Sequence, residues 1–526
     1  MLAVCCFLPA FFSLSAKAQD DSFVPPPAVI FPAADSPADL SLEERMNRLE
    51  ATNQDFLNQI EQLQANNARL MQQLQETSQL SLDADAVGQT RDGQIVPAQM
   101  LFDDQPPDIR TDQRPSQRMI ASEERNPFKK PLVWGSEDGE WTLQFHNETQ
   151  LDIRTYAQAH MDPVNQTGLY IPRMRLIFNG HLSRPIEYNV SLNKGLGSLD
   201  LLDAYFNFNY DERFQGRIGR YRVPFTYDWY ALSNQFLTTP ERSVFAINYG
   251  YNRNTAAMLH GDLLDDEIEY AIAVVNGPRN SYYDTNTAKD ILLYLNYRPF
   301  ENVEEDGPLQ NLNIGGSFCY GEQDQSPLPI DFHTSASATT SGGTTVGVPT
   351  FLHLNSNVVE RGKRMMWESH LAYYYKSLTV QAAMDGGENT YAFSNAAGSV
   401  PVSVWAWHAQ FGYFLTGEEL DRRTQVDVKR PFDLRKGKRG IGAWEIQARF
   451  DRFQLDGDVF SKGLADPTLW TNRVNTIDCG VNWYLNRYVR IAFDWQHAQY
   501  GSPVQYAPGK LSDSSDLFWI RFQDYF

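Results

Sequence analysis

Arginines that recur on one face of alternating segments are the residues with the clearest potential for chemistry in this sequence. Seven of them fall at polar positions of such segments: Arg154, Arg173, Arg175, Arg217, Arg449, Arg490 and Arg521. Three more flank a short segment rich in aromatic residues, namely Arg220, Arg222 and Arg242. Guanidinium groups along the wall of a water-filled passage lower the barrier for anions. The pattern therefore predicts a lining that attracts anions, provided that these faces enclose a lumen.

The same faces also carry carboxylates, which oppose an anion preference. Six of them lie at predicted inward positions: Glu148, Asp152, Asp203, Glu445, Asp451 and Asp494. The chain has 65 acidic and 45 basic residues, a net charge of -20, which argues against nucleic acid as a partner. Residues 1–138 hold 21 acidic and 11 basic residues, which leaves 44 and 34, a net charge of -10, for residues 139–526. This balance, together with the few inward lysines, leaves the sign of selectivity open.

Strands must position these side chains, because side-chain character alternates with a period of two from residue 139 onward. The last ten residues read LFWIRFQDYF. They place Phe518, Ile520, Phe522 and Phe526 on one face, and Trp519, Arg521, Gln523 and Tyr525 on the other. In a transmembrane barrel the last strand pairs with the first and turns its apolar face to lipid. We therefore expect this segment to close a barrel, with Phe526 as the signal for the barrel-assembly machinery.

The length of the alternating region sets the expected size of the barrel. Residues 139–526 comprise 388 residues. At roughly 10 residues per strand plus turns and loops, they form about 16 strands. A barrel of this size leaves a water-filled lumen that wall side chains do not fill. A soluble sandwich would explain any single strand equally well, but it explains the export signal and the terminal aromatic residues poorly.

A constriction is expected from a loop that folds into this lumen. Pro224 cannot donate to a strand ladder, so it should end a strand, and the following segment 225–242 is the candidate loop. The aromatic residues expected to brace this loop against the wall are Tyr227, Trp229 and Tyr230. The stretch 331–355 is rich in Ser, Thr and Gly, which is typical of an exposed outer loop.

The alternation also predicts on which face of the barrel wall two further pairs of side chains lie. Trp444 and Trp483 fall at outward positions and fit an aromatic girdle at the membrane interface, although ordinary strand packing would also place them there. Glu445 and Arg449 share the inward face, where they could form a structural ion pair or a selectivity element.

An enzyme is not expected, because the sequence has no Gly-x-Ser-x-Gly elbow, no HExxH and no P-loop. The nine histidines are scattered, and His146 with Glu148 is too slight a pair for a metal site, so we expect neither a cofactor nor a metal. A barrel hydrolase stays an alternative. Cys319 and Cys479 lie in different predicted strands and favour two separate thiols over a disulfide.

The chain before the barrel divides into four predicted segments. These are a signal peptide (1–18), a linker rich in Pro and Ala (19–40), an α-helical coiled coil (41–80) and a polar linker (81–138). Ser41 and Glu44 make a capping box, and about five heptads follow. We expect a periplasmic stalk for oligomerisation, whose strand number stays open. The alternative is one amphipathic helix packed on its own domain.

Short motifs along the barrel region resemble the phosphate-selective porin O and P family of bacterial outer-membrane porins. In chain order they are GRIGRYRVPF (216–225), PERS (240–243), VNG (275–277), RPF (298–300), FLTGEE (414–419), GAWE (442–445) and NWYLN (482–486). Each motif is short, and their shared order makes the resemblance specific. It covers the barrel and not the stalk. It implies a 16-stranded outer-membrane porin, usually trimeric, that passes anions by passive diffusion.

These observations predict an outer-membrane porin for passive diffusion of small solutes, with inorganic anions such as phosphate as candidates. One alternative is a structural barrel whose periplasmic stalk tethers the envelope. Another is a general or sugar-permeable porin without phosphate preference. The expected partners are outer-membrane lipid, the barrel-assembly machinery and further copies of the chain in a homotrimer, with no nucleic acid.

Overall fold

The computed structural model describes residues 132–157, 167–195, 199–303, 307–336, 338–339, 345–346, 349–395, 398–435, 437 and 439–526. The predicted signal peptide, Pro/Ala linker and coiled coil lie outside the described residues, as does most of the polar linker, and they stay predictions. Within the described ranges, no helix has the length and apolar character needed to cross a membrane.

The described residues form a large antiparallel sheet with short loop elements. The first strands are β1 (Leu132–Gly135), β2 (Thr142–Tyr156), β3 (Gly168–Ser183), β4 (Ile186–Asn193), β5 (Asp200–Phe208), β6 (Gln215–Arg222), β7 (Arg253–Leu263), β8 (Ile268–Val275), β9 (Asp290–Tyr297) and β10 (Asn311–Gln325). Four short strands follow within a loop: β11 (Asp331–His333), β12 (Ala338–Thr339), β13 (Thr345–Val346) and β14 (Thr350–His353). The last strands are β15 (Val358–Tyr375), β16 (Leu378–Phe393), β17 (Val400–Phe414), β18 (Ala443–Leu455), β19 (Arg473–Tyr484), β20 (Val489–Ala507) and β21 (Lys510–Tyr525).

Strands β2–β10 and β15–β21 close into a barrel of 16 strands, as the length of the region predicts. Closure occurs where β2 pairs with β21, with Asp152 opposite Arg521. The main chain of Phe526 continues this ladder through two hydrogen bonds with Asn147. The short strand β1, near the end of the predicted polar linker, pairs with the start of β2. Its four residues are too few to produce a readable alternation.

The two faces of the wall differ as the alternation predicts. On β21, the side chains of Phe518, Phe522 and Phe526 are 53%, 40% and 45% exposed on the outside. Trp519 and Arg521 on the other face are 2% and 1% exposed. Because successive side chains point to opposite faces of a strand, one sequence period yields both an apolar exterior and a polar lumen.

The two ends of the barrel carry connections of different length. At one end the connections 184–185, 376–377 and 485–488 are short, and long loops such as 326–357 lie at the other end. In barrels of this type the short turns are periplasmic. The longest connection at the short-turn end joins β17 to β18, residues 415–442. We call it the short-end connection.

Three helical turns fold within the segment that joins β6 to β7, residues 223–252, which we call the inward loop. They are α1 (Tyr227–Tyr230), a 3-10 turn (Asn234–Phe236) and α2 (Val244–Tyr249). A further short helix, α3 (Asp458–Ser461), joins β18 to β19. Strand β6 ends two residues before Pro224, as predicted, because proline has no N–H for the ladder.

The loop between β10 and β15 differs from the expectation of an exposed outer loop. Strands β11 and β14 pair, and Phe332 and Phe351 are fully buried. The ring centroid of Phe332 lies 5.6 Å from that of Tyr249 on α2, and the rings of Phe332 and Phe351 lie 6.1 and 5.8 Å from Phe453 on β18. The apolar residues at the two ends of the loop fold inward, which a composition dominated by Ser, Thr and Gly concealed.

Candidate pore constriction

Carboxylates of the wall and of the loop itself hold the helical turns of the inward loop. The backbone N–H of Tyr227 donates to both oxygens of Glu368, at 2.8 and 3.0 Å. The N–H of Val244 donates to Asp451 at 3.2 Å, and the N–H of Ser243 donates to Asp228 at 2.8 Å. The first N–H groups of a helix have no partner inside the helix, so buried acceptors there fix its position. These carboxylates therefore serve as anchors of the loop.

A second anchor joins the inward loop to the closing strands of the barrel. Glu241 accepts two hydrogen bonds of 2.6 Å from Arg173 and one of 2.8 Å from Arg521. Arg521 also binds Asp152 at 2.7 Å, and Arg154 binds the same carboxylate at 2.8 Å. Burial opposes ionisation of Glu241, but the charges of Arg173 and Arg521 hold its pKa well below the usual range. Three arginines thus share two carboxylates.

Two further predicted arginines are neutralised within the wall. Arg175 pairs with Glu148 at 3.0 Å. Arg449 pairs with Asp451 at 2.8 Å and Asp478 at 3.2 Å; of the two alternatives for Glu445 and Arg449, the ion pair between them is not formed.

The short-end connection supplies the true partner of Glu445. Arg423 donates to Glu445 at 2.5 Å and to the carbonyl of Phe236 in the inward loop at 2.9 Å. Leu420 and Val426 of the same connection are buried against Tyr484 and its neighbours. The lumen is therefore narrowed from the short-turn end by this connection as well as by the inward loop. Sequence reasoning missed Arg423, because only the local FLTGEE motif marks this segment.

Three of the predicted arginines that contact the inward loop form no ion pair with any described carboxylate. Arg222 and Arg242 both donate to the carbonyl of Leu232, at 2.7 and 2.5 Å. Arg242 also lies over the ring of Trp229, 4.3 Å from its centre. Arg490 donates to the carbonyl of Leu237 at 2.6 Å. Carbonyl oxygens hold these guanidinium groups in place, and no described carboxylate lies within ion-pair distance of them.

A cavity between the inward loop and strands β2–β7 collects several of these cations. Its charged lining residues are Arg175, Arg217, Arg222, Arg242 and Arg253, with Glu148 and Asp203. Arg253, which sequence reasoning missed, lies opposite Arg222 in the ladder of β6 and β7 and pairs with Asp203 at 3.0 Å. Arg253 could have been predicted from the sequence only if the register between β6 and β7, which places it opposite Arg222, had been known.

Arg220 occupies a different place from the other predicted arginines. Its guanidinium donates to the carbonyls of Leu201 and Ser281, and it lies 3.9 Å from the ring centre of Tyr282. It therefore binds the loop 276–289 and not the inward loop.

The aromatic residues of the inward loop divide into two roles. Tyr227 meets Tyr374 of the wall, with 3.0 Å between the hydroxyl oxygens, and Tyr230 packs edge-on against Tyr294. Both brace the loop as expected, whereas Trp229 contacts Arg242 instead of the wall.

Outside the lumen, the rings of Trp444 and Trp483 stack across β18 and β19 at 5.0 Å. Cys319 and Cys479 are free thiols. Among the described residues, no group of three or more His, Cys, Asp or Glu side chains is arranged to hold a metal ion.

A closed barrel of 16 strands with an apolar exterior, a polar lumen and a loop folded inside has the architecture of an outer-membrane porin. The model of one family, described as phosphate-selective porin O and P, matches residues 143–526. The chain belongs to this family.

Individual members of the family and individual solved structures share little sequence identity with this chain. Porin O of Pseudomonas aeruginosa is 28% identical over 91 residues, which are 17% of this chain and 20% of that protein. The aligned part thus spans about a fifth of that relative's length. Among solved structures, the anion-selective porin from Comamonas acidovorans is 11% identical, with a TM-score of 0.42 over 74% of this chain and 100% of that one. Outer-membrane expressed OmpT of Vibrio cholerae is 10% identical, with a TM-score of 0.43 over 75% and 100%.

Proposed function

We propose that this chain forms a water-filled channel for passive diffusion of small solutes across the outer membrane, and that the channel prefers anions. The observation that carries the proposal is the pair Arg222 and Arg242 beside the inward loop. Both guanidinium groups are fixed by the carbonyl of Leu232 and lack an ion pair with a described carboxylate.

The distribution of charge supports this sign of selectivity better than the net charge does. Glu368, Asp451 and Asp228 accept backbone N–H groups of the inward loop, and Glu241 lies between two arginines. Carboxylates used in this way contribute little free negative charge to a passing ion. Fixed positive charges in a passage with walls of low dielectric constant raise the local concentration of anions.

Phosphate is the preferred candidate solute within this proposal. The planar guanidinium group binds phosphate oxygens in a bidentate manner, and the cavity combines five arginines with two carboxylates. The description of the family points the same way. The homotrimer, the periplasmic stalk and the role of Phe526 in assembly belong to the same proposal and rest on the sequence patterns and the family.

Reversal potentials in a salt gradient test the sign of selectivity in planar bilayers. We expect the wild-type channel to favour anions, and the double variant Arg222→Gln/Arg242→Gln to lose most of that preference. The matched control is Arg184→Gln/Arg213→Gln, because these side chains are 71% and 65% exposed at short turns. Added phosphate should reduce the chloride current of the wild type more than that of the double variant.

Three results would contradict the proposal. A cation-selective wild type would refute the assigned sign, and an unchanged reversal potential in the double variant would refute the assigned residues. An absence of conductance from folded, heat-modifiable protein would favour the tethering role. Anion selectivity without any effect of phosphate would support a general anion channel.

A further inference from the structure

A dense basic segment forms the tip of the short-end connection. Residues 429–439 read KRPFDLRKGKR, with six basic residues and one acidic residue in a chain whose net charge is -20. We call this segment the basic tip. Its described basic residues, Lys429, Arg430, Arg435 and Arg439, are all exposed. A cluster of positive charge in a chain of negative net charge indicates a binding partner of negative charge.

The basic tip is held at the outer rim of the barrel and not in the lumen. The ring of Phe432 packs edge-on against Trp483 at 5.0 Å, and its N–H donates to the carbonyl of Leu485 at 2.6 Å. The indole N–H groups of Trp444 and Trp483 both donate to the carbonyl of Ile441, at 3.0 and 2.9 Å. These two tryptophans lie on the outward face of β18 and β19. The tip therefore lies beside the lipid-facing surface at the short-turn end.

Large apolar side chains within and beside the basic tip are exposed. Leu434 is 83% exposed and Ile441 is 56% exposed. Both lie close in sequence to the exposed basic residues, and the carbonyl of Ile441 contacts the stacked tryptophans. Exposed aliphatic and aromatic residues mixed with lysine and arginine are characteristic of surfaces that bind at a membrane interface.

Only part of the positive charge of the tip is neutralised by its surroundings. Arg435 pairs with Asp433 at 2.5 Å, and Lys429 lies 3.4 Å from Glu419. Arg430 and Arg439 form no ion pair with a described residue. The main-chain N–H of Gly442 donates to the carbonyl of Arg430 at 2.9 Å, which ties the base of the tip together. Among the described basic residues of the tip, the charged groups of Arg430 and Arg439 are thus exposed and without an ion pair.

We propose that the basic tip binds anionic phospholipid headgroups in the periplasmic leaflet of the outer membrane, with Leu434 inserted among the acyl chains. Each lysine or arginine near an anionic membrane surface adds to the attraction, and an inserted apolar side chain fixes the depth. An acidic cell-wall polymer would use the charges but would leave Leu434 and Ile441 in water. The inference rests on the membrane placement of the barrel and is independent of its ion preference.

Site-specific quenching in reconstituted vesicles tests this inference. The full chain with Leu434→Cys and Cys479→Ser is labelled with an environment-sensitive fluorophore and placed in phosphatidylethanolamine vesicles. These vesicles contain acyl-brominated phosphatidylglycerol or, at the same fraction, acyl-brominated phosphatidylcholine. We expect brominated phosphatidylglycerol to quench about two-fold more strongly, because it is enriched around the tip. High salt should reduce this ratio.

Two variants and one probe position make the result decisive. Neutralising the tip with Arg430→Gln, Lys436→Gln, Lys438→Gln and Arg439→Gln should make the two lipids quench equally. The control Arg184→Gln/Arg213→Gln should retain the difference. A label on native Cys479, which is exposed on β19, reports whether the barrel itself is in the bilayer.

Suppose that both lipids quench the label at the Leu434→Cys site equally in the protein with its natural tip charges, while the Cys479 label is quenched. The inference about the tip would then be wrong, and the membrane placement of the barrel would stand. Unquenched labels at both positions would overturn the membrane placement as well. Retention on purified peptidoglycan that depends on the tip charges, together with an unquenched label at the Leu434→Cys site, would replace the lipid by a cell-wall polymer.

Discussion

The variant Glu241→Gln tests the anchor between the inward loop and the closing strands. Glu241 is 3% exposed and receives hydrogen bonds of 2.6, 2.6 and 2.8 Å from two arginines. Glutamine keeps the shape but removes the charge that faces Arg173 and Arg521. Removing one partner of a buried ion pair typically costs about 3–5 kcal/mol, because the other charge stays buried and unpaired. We expect a loss of this order in the free energy of unfolding.

Denaturant unfolding in detergent, followed by the heat-modifiable shift in electrophoretic mobility, measures this loss. The matched control is Glu419→Gln, because Glu419 and Lys429 are more than half exposed and 3.4 Å apart. Exposed pairs contribute at most about 1 kcal/mol. A double-mutant cycle with Arg173→Gln should give a coupling energy of about 1–3 kcal/mol. The reasoning is wrong if Glu241→Gln costs no more than the control, or if the coupling is zero.

The same anchor has a defined pH dependence. The pKa of Glu241 is held well below its unfolded value of about 4.3, because Arg173 and Arg521 outweigh the effect of burial. A carboxyl group with a lowered pKa stabilises the fold above its unfolded pKa and loses this contribution as pH falls through its folded pKa. The stability difference between the wild type and Glu241→Gln should therefore be constant near neutral pH and should narrow below about pH 4.

Two further predictions concern other contacts of the barrel. Arg423→Gln should raise single-channel conductance, because it releases the short-end connection from Glu445; unchanged conductance in a correctly folded variant would contradict this role. Gly219→Ala should reduce the yield of heat-modifiable barrel, because a Cβ there would lie 2.3 Å from the carbonyl oxygen of Ala204 at a φ of +131°. Gly216→Ala is the control, since no heavy atom lies within 4 Å of its Cβ, and equal yields of the two variants would refute the steric argument.

The alternation of polar and apolar residues predicted which side chains face the lumen and which face outward, because this alternation is a local property of strands. It placed Arg521 and Arg449 on the buried inner face and Phe518 on the outside, where the structure has them. It did not predict which side chains at the end of strand β6 contact the inward loop. Arg220 and Arg222 both flank the inward loop in sequence, but only Arg222 contacts it.

Partners of charged side chains could not be predicted in the same way. Glu445 and Arg449 lie four residues apart on one strand and suggested a pair, yet Glu445 binds Arg423 from the short-end connection. Likewise the loop between β10 and β15 buries Phe332 and Phe351, although its composition suggested exposure. These contacts join segments distant in sequence, and periodicity carries no information about them.

The sequence by itself determined a barrel, its size, its closing strand and the polar character of its inner face, since a period of two and a chain length specify these features. Only the tertiary structure decided which charges remain free. Glu241 and Glu368 are engaged by the inward loop, whereas Arg222 and Arg242 are held by a carbonyl oxygen and form no ion pair with a described carboxylate. The physical reason is that charge compensation depends on contacts of a few ångströms between remote segments, which only packing establishes.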